Sequence, residues 1–271
     1  MRPNFHVFNI NGIRLLMWFR EDLDPNKEYR FIISCHGLPS HPYQHNPAKM
    51  EIVTDAGFVM IFPDYIGTWA SDGTMSWENC AKTILDAVDF VKSGQGKKVT
   101  QYADDEPIIK WKVKDITLLG GSFGGSVALV AGAKSDDVKN IISIGAPTNW
   151  RDHSRIPEES AEPIEDLYYA IKNGWKNLWR IPDKKEWDRL VKGTADLNPV
   201  DYIEQLKSKN TLLIHGGADE TVSVKRAEQL HQDIRDGKGR HEIMILKDEG
   251  HKGNDTIGRE EIFSKVKRFL S

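Results

Sequence analysis

The residues best suited to chemistry form the run Gly120-Gly121-Ser122-Phe123-Gly124-Gly125, a serine bracketed by glycines. An apolar run precedes it and an apolar helical stretch follows. Gly120 and Gly124 remove side chains where a strand and a helix must pass close. Ser122 is therefore expected on a sharp strand-to-helix turn with its hydroxyl exposed as a nucleophile. A lone Gly-x-Ser-x-Gly is a weak signal, and the flanking strand and helix strengthen it. Such a serine needs a base, an acid that orients the base, and donors for a developing oxyanion.

All three are supplied in order along the chain. The segment His215-Gly216-Gly217-Ala218-Asp219-Glu220-Thr221-Val222 follows a strand-like run. That context puts Asp219 at the carboxyl edge of the sheet, where open α/β sheets bind ligands. Glu220 is its competitor. Of nine histidines, His251 lies on a loop after the next strand and before the last helix, whereas His231 and His241 fall in a helix and at a strand start. Earlier in the chain, His36-Gly37-Leu38-Pro39-Ser40 follows another strand, and the backbone amides of Leu38 and Phe123 are the expected oxyanion donors. His36 is expected to brace this loop and border the substrate pocket. The close spacing of His36, His41 and His45 invites a metal site, but Pro39 and Pro42 interrupt it and no cysteine or paired helical ligands accompany it. No metal and no cofactor are expected. The glycine run lacks the Lys-Ser/Thr of a phosphate loop.

Placing these groups on one edge requires a layered scaffold. Strand-like segments at 4–10 and 13–19 are joined by Asn11-Gly12, a strong hairpin signal. Further runs at 29–35, 57–62, 115–119, 139–144, 210–214 and 241–246 are mostly continuous apolar stretches, as in strands covered on both faces. Helical spacing is clearest over 76–92, with further helices expected at 45–55, 123–134, 224–236 and 258–270. Gly94–Lys98 reads as a polar loop. The fold class is α/β: a doubly wound, mostly parallel sheet with an N-terminal antiparallel hairpin. Residues 1–271 read as one domain interrupted by a helical cap at about 150–205. Within that insertion, Trp150, Tyr168, Trp175 and Trp179 are expected to include residues lining an apolar acyl or aryl pocket.

Composition narrows the classes of function. A formal net charge of −3 supplies no electrostatic reason to expect nucleic acid or an acidic membrane surface. Cys35 and Cys80 are too few for a disulfide framework and read as thiols in a reducing compartment. No signal-like segment and no apolar span of membrane length is seen, so a cytoplasmic location is expected. A homodimer is compatible with the cap and the edge strands as contact surfaces.

Together, the ordered pieces His36-Gly37, Phe62-Pro63-Asp64-Tyr65-Ile66-Gly67, Gly120–Gly125, Asn198-Pro199, His215–Val222 and Gly250-His251 resemble the α/β-hydrolase superfamily. More narrowly, they are similar to the catalytic domains of prolyl-oligopeptidase-like and dienelactone-hydrolase-like enzymes. The resemblance implies Ser122 as nucleophile, Asp219 as orienting acid and His251 as base. Prolyl oligopeptidases carry a large propeller for which these 271 residues leave no room. The Pro-Asp-Tyr segment also lacks the arginine common after that tyrosine. The insertion looks like the lids of cinnamoyl- and feruloyl-type esterases. The expected activity is hydrolysis of carboxylic esters of small to medium acyl or aryl compounds. The alternative is a peptidase acting on short peptides or amino-acid amides, with Glu158, Glu159, Glu162, Glu165 or Asp166 as candidates to recognise its amine, though these acids also read as a solvated helix face. A third is a non-catalytic binding protein on the same fold.

Overall fold

The computed structural model describes residues 4–40, 47–100, 107–152, 159 and 164–271. The strands are β1 (Asn4–Ile10), β2 (Ile13–Phe19), β3 (Glu28–Cys35), β4 (Phe58–Pro63), β5 (Gln95–Lys97), β6 (Ile108–Lys110), β7 (Lys112–Gly121), β8 (Val138–Ile144), β9 (Asn210–Gly216) and β10 (His241–Leu246). Eight of them form one sheet in the order β1-β2-β4-β3-β7-β8-β9-β10. The β1–β2 hairpin and the β2–β4 pair are antiparallel, and every other pairing in this sheet is parallel. The helices are α1 (Pro47–Asp55), α2 (Trp77–Ser93), α3 (Phe123–Lys134), α4 (Ile164–Gly174), α5 (Lys184–Val191), α6 (Ile203–Leu206), α7 (Val224–Ile234) and α8 (Glu260–Leu270).

Strand alternation divides the core into two layers. Phe31, Ile33, Leu118, Ile141 and Leu213 face one side, packing with α2, α3 and α7. Ile32, Leu119, Ile142, Leu212 and Ile214 face the other, against Val53 of α1 and Ile262, Phe263, Val266 and Phe269 of α8. Continuous apolar runs are what a strand needs when both faces are covered. Helix α2 starts where Ser76 accepts the Asn79 amide and stops at Gly94, whose φ of 69° suits a left-handed cap.

The register aligns the strand ends. Cys35 pairs with Gly120, Gly120 with Ser143, Ile144 with Ile214, and Gly216 with Leu246. The loops at 36–40, 64–75, 145–149, 217–223 and 247–253 therefore leave along one carboxyl edge, with the turn at Ser122 among them.

One expectation needs correction. The stretch read as a polar loop at Gly94–Lys98 contains β5, which pairs antiparallel with β6. Its outward residues are polar and its inward one is Gly96, so no apolar alternation advertises a strand. A side chain on Gly96 would collide with the Phe90 ring. The insertion carries α4 and α5, whose Tyr168, Ile171, Trp187 and Leu190 join the larger core layer. It reaches the sheet-edge loops through a β-bridge between Thr68 and Trp179.

Candidate active site

Ser122 sits between β7 and α3 with φ 54° and ψ −130°, a region costly for any residue with a side chain. Close packing enforces the turn. A Cβ on Gly120 would lie 1.9 Å from the Gly124 carbonyl oxygen, and one on Gly124 would lie 2.1 Å from that of Cys35. The Ser122 amide donates to Ile144 O at 2.8 Å and its carbonyl accepts from Gly125 N at 2.8 Å. Ser122 is half-buried at this edge.

The Ser122 hydroxyl meets His251 Nε2 at 2.9 Å, and His251 Nδ1 meets Asp219 Oδ2 at 2.8 Å. A carboxylate only accepts, so Nδ1 carries the proton and Nε2 is free to accept from the serine. Asp219 is fully buried at its side chain, while that of His251 is 29% exposed. Asp219 Oδ1 accepts the amides of Thr221 and Val222 at 2.9 Å each. Burial alone would raise this carboxyl. Hydrogen bonds from His215, His251 and the Val222 amide overcome it and hold Asp219 well below the usual carboxylate range.

Two supports were not singled out in the sequence. His215, 1% exposed, donates from Nε2 to Val222 O at 2.8 Å and lies 3.4 Å from Asp219 Oδ2. Beyond His251, Asn254 Nδ2 donates to Ser34 Oγ at 2.8 Å and to Cys35 O at 3.0 Å, pinning the histidine loop to the end of β3. The His-Gly pair after β9 was visible as a motif. Asn254 carries no local signal.

The 36–40 loop passes against the serine turn: a side-chain carbon on Gly37 would lie 3.8 Å from Ser122 Cβ. His36 is buried, with its ring stacked on Tyr65 at 4.0 Å and edge-on to Trp179 at 5.3 Å. The Tyr65 hydroxyl donates to His36 O at 3.0 Å, and Ser40 Oγ donates to Gly37 O at 3.1 Å. Leu38 is half-buried on this loop. Phe123 opens α3, where the first amides have no intrahelical acceptor.

Residues 44–271 match the model of the prolyl oligopeptidase family, Peptidase_S9. The chain belongs to this family. Dipeptidyl peptidase 4 from Sus scrofa is 22% identical over 274 residues, covering 97% of this chain and 32% of the relative. The Bos taurus form is 21% identical over 93% of this chain and 31% of its own length. The chain thus spans about a third of the curated relatives it matches. Among solved structures, a Pyrococcus furiosus esterase superposes with TM-score 0.67 at 19% identity, covering 99% of this chain and 89% of that one. Est1E from Butyrivibrio proteoclasticus with bound ferulic acid gives 0.65 at 18% identity, covering 98% and 99%. These neighbours establish the α/β-hydrolase fold.

In this prolyl oligopeptidase family member, the predicted pocket aromatics divide. Trp150, Tyr168 and Trp179 are 3%, 7% and 1% exposed. Trp150 and Trp179 pack on the Phe123 ring, and Tyr168 packs on Trp187. Trp175 is half-buried and meets Trp69 edge-to-face at 6.0 Å. Of the insertion's acids, Glu158 and Glu162 lie outside the described residues, as does the side chain of Glu165, and Asp166 is exposed. Glu159 forms a buried ion pair with Arg226, both side chains 2% exposed. Its Oε1 also accepts the Ser223 amide at 2.7 Å. His41 and His45 lie outside the described residues. Among the described residues no group of three His, Cys, Asp or Glu side chains is placed to hold a metal. No helix among them is long and apolar enough to cross a membrane.

Proposed function

We propose that this chain is a serine hydrolase cleaving carboxylic esters of small to medium acyl or aryl compounds. The observation that carries the reading is the unbroken line of 2.9 Å from Ser122 Oγ to His251 Nε2 and 2.8 Å from His251 Nδ1 to Asp219 Oδ2. In this mechanism Ser122 Oγ attacks the ester carbonyl as its proton passes to His251 Nε2. The backbone amides of Leu38 and Phe123 receive the oxyanion. Collapse of the tetrahedral intermediate expels the alcohol, which takes the proton from His251 and leaves an acyl-Ser122. Water, deprotonated by the same imidazole, attacks that acyl carbon, and the acid departs as Ser122 regains its proton. Asp219 fixes the imidazole tautomer and balances the transient imidazolium.

A second reading is hydrolysis of short peptides or amino-acid amides, favoured by the family match and by the similarity to dipeptidyl peptidase 4. It needs a carboxylate to take the substrate amine. Glu159, a candidate for that role, is already engaged by Arg226, which supports the ester reading.

A paired assay tests this on the purified protein and Ser122→Ala, using p-nitrophenyl esters of rising chain length beside aminoacyl p-nitroanilides. Ester turnover without anilide turnover, lost in Ser122→Ala, is the expected result. Comparable anilide turnover selects the peptidase. A protein silent on both, whose Ser122 also resists a fluorophosphonate, favours the binding-protein reading.

A further inference from the structure

Among the described residues, three non-glycine residues have positive φ: Asn11 at 53°, Trp69 at 45° and Ser122 at 54°. Asn11 belongs to the β1–β2 turn, where asparagine tolerates that conformation. Ser122 is the serine of the proposed reaction. Trp69 has no such local reason, since a bulky residue in this region is an outlier. Backbone strain of this kind persists only where the surroundings over-determine it, and it concentrates at ligand sites.

The surroundings of Trp69 do over-determine it. Its indole N–H donates to Ser40 O at 3.0 Å, its backbone N–H donates to Leu178 O at 2.8 Å, and its carbonyl accepts from Arg180 Nη1 at 3.2 Å. Trp69 thereby joins the loop at 36–40, which runs against Ser122, to the helical insertion. Its exposure supplies a separate argument. Six of the eight tryptophans are buried. The remaining two, Trp69 and Trp175, are half-buried and touch each other with ring planes at 82°. Held beside the loop that runs against Ser122, and not sunk in the core, these two tryptophans stay partly exposed.

We propose that Trp69, backed by Trp175, is the specificity-determining wall of the acyl subsite, and that the acyl group it selects carries a planar aryl ring. The inference rests on the ester-hydrolase reading and adds the substrate class. An aryl ring packs on an indole face or edge with more than its buried area alone provides, whereas a short alkyl chain lacks that quadrupole contribution.

The test compares methyl 3-phenylpropanoate with methyl butanoate, which share an alcohol and differ in the acyl group. Trp69→Gly removes the ring and is at ease at this φ. It is expected to lower the aryl-to-alkyl ratio of kcat/KM by about tenfold, as loss of one aromatic contact implies. Trp69→Phe keeps a ring while losing the indole N–H, and it should hold most of the ratio. If Trp69→Gly lowers both esters equally, Trp69 only positions the loop and the proposal falls. A second readout separates this from failure of the ester reading: inactivation of Ser122 by phenylmethanesulfonyl fluoride against methanesulfonyl fluoride. A tenfold drop in that ratio in Trp69→Gly, with neither ester turned over by the unmodified protein, would keep the aryl wall and discard the ester reading. An unchanged ratio, or no labelling by either reagent, would overturn the wall.

Discussion

His215 stands behind Asp219, its Nε2 3.4 Å from the same Oδ2 that His251 Nδ1 reaches at 2.8 Å. The carboxylate is therefore held from two sides, and the rear imidazole also closes the 215–222 loop through Val222 O at 2.8 Å. His215→Leu removes both bonds and leaves Val222 O without that donor. It should cost about 1–3 kcal/mol of stability, as expected for a buried hydrogen bond to a charged group. Ester kcat should fall by about tenfold as Asp219 loses its fixed position. His215→Gln, with an amide N–H in reach of the same acceptors, should recover part of each. Urea midpoints and steady-state kinetics check both. Unchanged kcat in His215→Leu would show that Asp219 needs no rear support.

The backbone at Ser122 holds strain that glycine would not. Ser122→Gly should be more stable than Ser122→Ala by about 1 kcal/mol or more, with both inactive on esters. Thermal unfolding of the two variants decides it. Equal midpoints would mean that the turn, not the side chain at φ 54°, carries the strain.

Asp64, at the end of β4, is completely buried, and burial pushes its carboxyl up to about 6 against the pull of the Ala70 amide, Arg14 and Arg180. Its Oδ2 accepts from Ala70 N at 3.1 Å, and its Oδ1 meets no donor among the described residues. The folded state thus holds this proton more tightly than the unfolded chain. Stability from this group is fully present below about pH 4, falls as pH rises toward 6, and stays reduced above it. Asp64→Asn should abolish that slope, changing the stability difference between about pH 4 and pH 8 by about 3 kcal/mol. Urea denaturation at the two pH values measures it.

Asp219 has the opposite sign. Its depressed carboxyl contributes stability that is complete above about pH 4 and is lost as pH falls through its folded value. Acid unfolding of Asp219→Asn should therefore be shallower than that of the unmodified protein below about pH 4. A circular-dichroism titration tests this, and superimposable acid limbs would contradict it.

The Glu159–Arg226 pair ties the insertion to the first turn of α7, close to the Asp219 loop. Glu159→Gln removes the carboxylate paired with the buried Arg226 guanidinium and should cost about 3–5 kcal/mol. A double-mutant cycle with Arg226→Met would assign that cost to the pair. If Glu159→Gln instead raised KM for aminoacyl anilides at unchanged stability, Glu159 would be an amine receptor and the peptidase reading would gain.

The strands, most helices and the chain order of Ser122, Asp219 and His251 were legible in the sequence because each rests on a local rule. Strands covered on both faces must be continuously apolar, helices repeat at their own period, and a sharp strand-to-helix turn demands glycine at Gly120 and Gly124. Strands β5 and β6 escaped because each is three residues long and exposed at both ends, so neither shows a buried apolar run. Only the tertiary structure decided how the acid is held, where the aromatics go, and which carboxylates remain available. His215 reaches Asp219 through a folded loop, and Asn254 reaches Cys35 across 219 positions. Arg226 lies 67 positions from Glu159. Trp150 and Trp69 look alike in one dimension, yet one packs on Phe123 and the other stands half-exposed beside the 36–40 loop. Sequence patterns report the energy of a residue against an average environment. Contacts between distant segments, and the direction a side chain takes in meeting them, exist only once the sheet has brought its carboxyl edge together.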